Sequence, residues 1–153
     1  MLGRFTPYIW VAILSLLTLF IPKALYASHP MGTDITYTCV GPNQYQIQLS
    51  FYRDCDGISA PTSATIDLEG CGVTNSFTLT QQSSQEVSPL CPSQLANSAC
   101  NGGTFPGVEQ YIYTGTITLP SQCADWTVSY SLCCRNGTIT NLQNPDTYDL
   151  YVE

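Results

Sequence analysis

The stretch QYQIQLSFYRDCDGI (residues 44–58) decides how the chain reads. Tyr45, Ile47, Leu49 and Phe51 alternate with Gln46, Gln48 and Ser50. A period of two belongs to a β-strand with one face in a core and the other in water. The run stops at Asp54-Cys55-Asp56-Gly57, which opens three options: a metal loop, part of a catalytic site, or a turn stapled by a disulfide. Alternate aspartates before a glycine occur in calcium loops. An EF-hand also needs a ligand at its fifth position and a glutamate at its twelfth. Counted from Asp54 these are Ile58 and Thr65, so an EF-hand is excluded. A looser calcium site on Asp54 and Asp56, completed by carbonyls or Asp125, is the metal option that remains. The plainer account is a turn made by Asp and Gly, with Cys55 tying it to another strand.

The same alternation recurs on both sides. Ile35, Tyr37 and Cys39 share a face, and GPN (residues 41–43) turns the chain into the quoted strand. Ala64, Ile66 and Leu68 mark a third strand, and Phe77 with Leu79 a short fourth. A loop rich in Pro, Gly, Ser and Asn follows at residues 88–107. Tyr111, Tyr113, Ile117 and Leu119 form a fifth strand; Trp126, Val128, Tyr130 and Leu132 a sixth; Tyr148, Leu150 and Val152 a seventh. Helical periodicity is missing after Ala27. The pattern predicts an all-β domain, an antiparallel immunoglobulin-like β-sandwich over residues 28–153. The last strand runs to Val152 with only Glu153 after it, the expectation being a domain cut from a longer parent.

Residues 1–27 read as a signal-peptide helix. Arg4 precedes the uncharged run YIWVAILSLLTLFI (residues 8–21), Pro22 breaks it, and ALYA (residues 24–27) suits signal peptidase. The run is shorter than the roughly 20 residues of a spanning helix. Cleavage after Ala27 predicts a secreted or cell-surface protein with no membrane insertion. It also removes Arg4 and Lys23, leaving Arg53 and Arg135 against all 11 acidic residues. Such a chain has no basic patch for nucleic acid.

All eight cysteines follow the signal: Cys39, Cys55, Cys71, Cys91, Cys100, Cys123, Cys133 and Cys134. An even number in an exported chain predicts disulfides, and the C-x-x-C pairs or extra histidines of a zinc site are lacking. Strand parity puts Cys133 and Cys134 on opposite faces, so they should have different partners. The reading pairs Cys55 with one of those two, and Cys91 with Cys100. RNG (residues 135–137) reads as a tight turn, and Asn136-Gly137-Thr138 has the form of a glycosylation sequon.

Catalysis is poorly supplied. The mature part has no lysine, and its single histidine, His29, sits at the new terminus, where chain ends are mobile. A glycosidase-type pair would have to come from Asp54, Asp56, Asp67, Glu69, Glu109 and Asp125, and nothing singles out two. Tyr111, Tyr113, Trp126 and Tyr130 have the spacing of a sugar platform, but their parity places them with the core. No cofactor is expected apart from calcium on Asp54 and Asp56.

Four stretches together, HPMGTDITYTCVGPNQYQIQLSFYRDCDGI (29–58), VSPLCPSQL (87–95), PGVEQYIYTGTITLP (106–120) and DWTVSYSLCCRNGTITNLQNP (125–145), carry a resemblance. They resemble the amino-terminal region of large secreted or surface proteins of Bacteroidetes, which bear PKD or other immunoglobulin-like domains and a gliding-motility-associated C-terminal sorting domain. The resemblance implies type IX export to the surface, although no sorting signal is visible before Glu153, and it supplies no catalytic residues. Taken together, the reading is a non-enzymatic surface module for adhesion, surface architecture or gliding-related contact, with a protein or glycan at a cell surface as partner. The alternatives are a carbohydrate-binding module of a secreted polysaccharide-degrading protein and a carboxylate-dependent hydrolase.

Overall fold

A computed structural model describes residues 29–137 and 139–153. The predicted signal peptide and its cleavage point lie outside the described residues. Seven antiparallel strands follow one another: β1 (Pro30–Gly41), β2 (Gln44–Asp54), β3 (Ser63–Gly70), β4 (Val73–Glu86), β5 (Val108–Thr118), β6 (Thr127–Leu132) and β7 (Leu150–Val152). The all-β antiparallel class is therefore observed. Where the immunoglobulin-like expectation has two sheets, the ladder runs unbroken in the order β1-β2-β5-β4-β3-β6-β7. The sheet curls, so that its edge strands β1 and β7 come close without pairing.

Local chemistry explains the turns. Asn43 adopts φ 56° between β1 and β2, a left-handed conformation that asparagine tolerates better than most residues. Cys71 (φ 50°) and Gly72 (φ 75°) form the two-residue β3–β4 connection, where positive φ at both positions matches the twist of a hairpin. β4 is longer than the predicted Phe77–Leu79 strand because residues 80–86 are polar. They show no alternation, yet they pair with β5 from Thr80↔Thr114 to Glu86↔Glu109.

The core fills the inside of the curl. Ile47, Leu49 and Phe51 of β2 face Ile66, Leu68 and Leu79 of β3 and β4, and Tyr111, Tyr113 and Ile117 of β5 complete it. Gly115 leaves room for this packing: a Cβ would lie 2.7 Å from Leu79 Cδ2 and push that side chain aside. Tyr113 is buried and donates to the Pro61 carbonyl at 2.7 Å. Burial, reinforced by Tyr130, Tyr111 and Glu109, pushes its hydroxyl up to about 12. No helix among the described residues is long and apolar enough to cross a membrane.

Leu49 is fully buried and Tyr37 is 74% exposed, although both lie on inward-facing positions of their strands. Leu49→Ala should cost about 3 kcal/mol through lost contacts and the cavity left behind. Tyr37→Ala should stay within about 0.5 kcal/mol. Urea midpoints at unchanged m-value are the measurement. Equal shifts for the two variants would refute the placement of Leu49 in the core.

Candidate functional site

The Asp54–Gly57 question resolves into a stapled turn. Gly57 N–H donates to the Asp54 carbonyl at 3.0 Å, and Asp56 N–H donates to Asp54 Oδ1 at 3.1 Å. Cys55 bonds to Cys100, joining this turn to the 88–107 loop, and Cys55 N–H donates to the Gly107 carbonyl at 3.0 Å. Gly107 is itself required, since a Cβ would lie 2.6 Å from Cys100 Sγ. Asp54 Oδ2 faces Asn136 Nδ2 at 3.4 Å, while Asp56 is exposed. The two calcium candidates therefore do not meet a third acidic ligand among the described residues. The single grouping of three potential ligands there is Cys71, Cys123 and Asp125, and its two sulfurs belong to one disulfide, which leaves no thiolate to bind a metal.

Arg53 organises this end of the sheet. It stands directly opposite Glu109 in the β2–β5 register. Its Nη2 donates to Glu109 Oε2 at 2.8 Å and its Nε to the same oxygen at 3.2 Å. Its Nη1 donates to three carbonyls, those of Asp54, Gly57 and Ile58, at 3.2, 2.8 and 3.1 Å. Tyr111 adds its hydroxyl to Glu109 at 2.7 Å. Burial alone would raise the Glu109 carboxyl. The hydrogen bonds from Tyr111 and Arg53, with the guanidinium charge, outweigh it and hold the carboxyl below its ordinary 4.5. The knot thus ties β2, β5 and the 54–58 turn together through one carboxylate oxygen, Glu109 Oε2, and one guanidinium.

The remaining acidic candidates are dispersed: Asp67 accepts from Ser76 at 2.7 Å, and Asp125 lies against the Cys71–Cys123 bridge. His29 is packed rather than loose. It sits against Gly57, where a Cβ would lie 2.7 Å from its Nδ1, and its carbonyl accepts from Asp54 N–H at 3.0 Å.

Three disulfide expectations are corrected. Cys55 pairs with Cys100, not with Cys133 or Cys134. Cys91 is therefore not bonded to Cys100, and Cys91 and Cys39 are exposed thiols. Cys133 and Cys134 bond each other. The parity argument fails there because β6 ends at Leu132 and Cys134 turns to φ 78°, outside strand geometry. Asn136 is only 3% exposed, so the sequon is not open to a glycan.

The opposite end of the curl carries an open cleft with three aromatic rings in its wall. Tyr37, Tyr45, Leu119, Trp126 and Val128 line a cavity of about 220 Å³. It shares Tyr37, Ile47, Trp126 and Val128 with an adjoining cavity of about 360 Å³ that ends at Glu153. Tyr37 meets Tyr45 edge-on, ring centres 5.9 Å apart. Trp126 is set by its Nε1 donating to the Ser121 carbonyl at 3.1 Å, and it lies over Gly70, where a Cβ would approach Cε3 to 2.8 Å. The Cys71–Cys123 bridge borders this groove. Of the predicted aromatic set, Tyr111, Tyr113 and Tyr130 are core residues and Trp126 alone reaches the groove. Tyr37 and Tyr45 carry no sequence signal for this role, because inward parity is what core residues show as well.

Arg53→Met should lower stability by about 2–3 kcal/mol, since it strands Glu109 and three carbonyls in a partly buried setting. A depressed carboxyl contributes stability that is present above its unfolded value and lost as pH falls through the folded value. The wild type should therefore lose stability as pH drops below about 4.5, and Arg53→Met should lose less over that window. Thermal melts from pH 6 to 2 test this, and parallel acid profiles would contradict it. Under denaturing, non-reducing conditions, a maleimide should label Cys39 and Cys91 alone; label on Cys55 or Cys100 would overturn that bridge.

Comparisons with protein-family models, curated proteins and solved structures find no match for this chain.

Proposed function

We propose that this chain is a non-enzymatic, disulfide-stapled extracellular binding module acting in adhesion, surface architecture or gliding-related contact. The observation that carries the reading is the open groove at the β1–β6 seam, walled by Tyr37, Tyr45 and Trp126. Aromatic side chains held rigidly at a concave surface bury much area on binding at little entropic cost. Two long-range bridges, Cys55–Cys100 and Cys71–Cys123, support a life outside a reducing cytosol. The internal satisfaction of Arg53, Glu109 and Tyr111 favours a structural over a catalytic role for the strongest polar cluster.

The carbohydrate-binding reading keeps one specific support: the exposed ring of Tyr37 beside Trp126 gives a sugar an apolar face to stack on.

Protein secreted from its full chain should bind a cell surface, a glycan or a surface protein. Tyr37→Ala and Trp126→Ala should each weaken that binding about tenfold, the effect expected of an aromatic anchor. Val87→Ala, exposed and away from the groove, should not. Binding to glycan and cell arrays measures this. Absence of binding by the wild type, or equal binding by all three variants, would refute the groove as the ligand surface.

A further inference from the structure

The Cys71–Cys123 bridge has an ill-suited neighbour. Asp125 Oδ1 lies 3.2 Å from Cys71 Sγ and also touches Cys123 Sγ. A thiol can donate to a carboxylate, but a disulfide sulfur carries no hydrogen. With the bridge formed, the carboxylate therefore faces two sulfur lone pairs with no proton between them. No other donor among the described residues reaches it. The two arginines among those residues are engaged elsewhere, Arg53 with Glu109 and Arg135 Nε with the Asp149 carbonyl.

The three atoms are arranged as metal ligands are. The two Sγ atoms and the carboxylate oxygen lie within 4.8 Å of one another. Zinc holds a thiolate sulfur at about 2.3 Å and a carboxylate oxygen at about 2.0–2.2 Å, so its ligands gather within about 4 Å. Two thiolates and a carboxylate suit zinc and are a poor set for calcium. Cys71 and Asp125 are exposed and Cys123 is half-buried, which gives a metal and a reductant access.

These residues are held together by more than the bridge. Cys71 belongs to the β3–β4 hairpin, and Cys123 and Asp125 to the link between β5 and β6. Glu69 pairs with Thr127 in the β3–β6 register, two positions from Cys71 and from Asp125 respectively. Trp126 packs over Gly70 between them, and its indole is anchored on the Ser121 carbonyl. The Cα atoms of the two cysteines stand 6.4 Å apart, towards the upper end of the roughly 4.4–6.8 Å that a bridge spans. Side-chain rotation then suffices to part the sulfurs to ligand spacing.

We propose that Cys71, Cys123 and Asp125 form a zinc site when the bridge is reduced, so that this corner of the sheet is closed by a disulfide in one state and by a metal in the other. A dithiol reductant delivers two electrons and two protons to the sulfurs. The S–S bond breaks, and the reductant leaves as its own disulfide. Zinc(II) then displaces both thiol protons and gains two Zn–S bonds and one Zn–O bond, with water in the fourth position. The two states exclude each other because the same sulfurs serve both. The site does not depend on what the groove binds, and its loss would leave the binding-module reading in place.

The test uses the full chain carrying Cys39→Ser, Cys91→Ser, Cys133→Ser and Cys134→Ser, which leaves the two long-range bridges. Oxidised, this protein should bind no cobalt(II). After anaerobic reduction by a phosphine, which supplies the same two electrons, cobalt(II) should bind with a sulfur-to-metal charge-transfer band. Zinc(II) should displace it and raise the melting temperature of the reduced protein. Asp125→Asn, at an exposed position, should keep the oxidised melting temperature and weaken metal binding at least tenfold, since even an outer-shell partner of a metal is worth about 10–100-fold. Adding Cys71→Ser and Cys123→Ser should abolish the band. Absence of cobalt binding, a band that survives those two substitutions, or equal affinity in Asp125→Asn overturns the site. So does a reduced protein that zinc(II) leaves unfolded, because the hairpin and Trp126 are held to keep the ligands together without the bridge.

Discussion

A single guanidinium closes the polar end of this sheet. Arg53 and Glu109 are register partners on β2 and β5, so their ion pair forms only when that ladder is correctly aligned. A one-residue slip would put each side chain on the wrong face of its strand. The same guanidinium collects three carbonyls of the 54–58 turn and lies 5.8 Å from the Tyr111 ring centre. A lysine has neither the planar fork nor the number of donors for this arrangement. The pair is largely sheltered, with 11% and 22% of the two side chains exposed, and such a pair helps specify register even where its net energy is small. Register on β2 then fixes which residues face inward on the strands that follow.

The two long-range bridges divide the labour with Arg53. Cys55–Cys100 spans 45 residues beside the guanidinium, and Cys71–Cys123 spans 52 residues at the groove. In the loop-entropy account each removes about 4 kcal/mol of freedom from the unfolded chain. Cys133–Cys134 closes no loop and contributes nothing of that kind. A sheet in which β2 must wait for β5, and β3 for β6, has many distant pairings to form. Bridges at both ends offset that loss of entropy, and Cys71–Cys123 does so beside the short, three-residue contact of β3 with β6.

Much of this was legible in the chain. Alternation in residues 44–51, 64–68 and 111–119 located the three central core strands and their inward faces, because each has one face wet and one dry. The polar half of β4 was not legible, because its outer neighbours are solvent and periodicity needs a contrast between faces. The continuous sheet was not legible either, since the same inward residues serve a sandwich or a curl. Disulfide partners depend on where loops end in space. The Cys91–Cys100 expectation used sequence proximity, and the 88–107 loop instead folds back over the 54–58 turn. Parity placed Tyr111, Tyr113 and Tyr130 in the core correctly and marked Tyr37 as inward-facing. That Tyr37 is nevertheless exposed follows from its position on an edge strand, a fact of topology alone.

The two edge strands are tied into the same core as the central ones. Most of the core comes from β2, β3, β4 and β5, with Tyr130 of β6 and Leu150 of β7 closing it, while Arg53 and the two bridges hold the ends. The groove is also rigid on its far wall. Trp126 is fixed by Ser121 and Gly70, and the Cys71–Cys123 bridge borders it directly. A ligand arriving there meets rings and backbone edges that folding has already ordered. The entropy that usually erodes affinity is therefore spent before binding begins. The exposure of Tyr37 and Val40 follows from the same arrangement, because an edge strand has a neighbour on one side only.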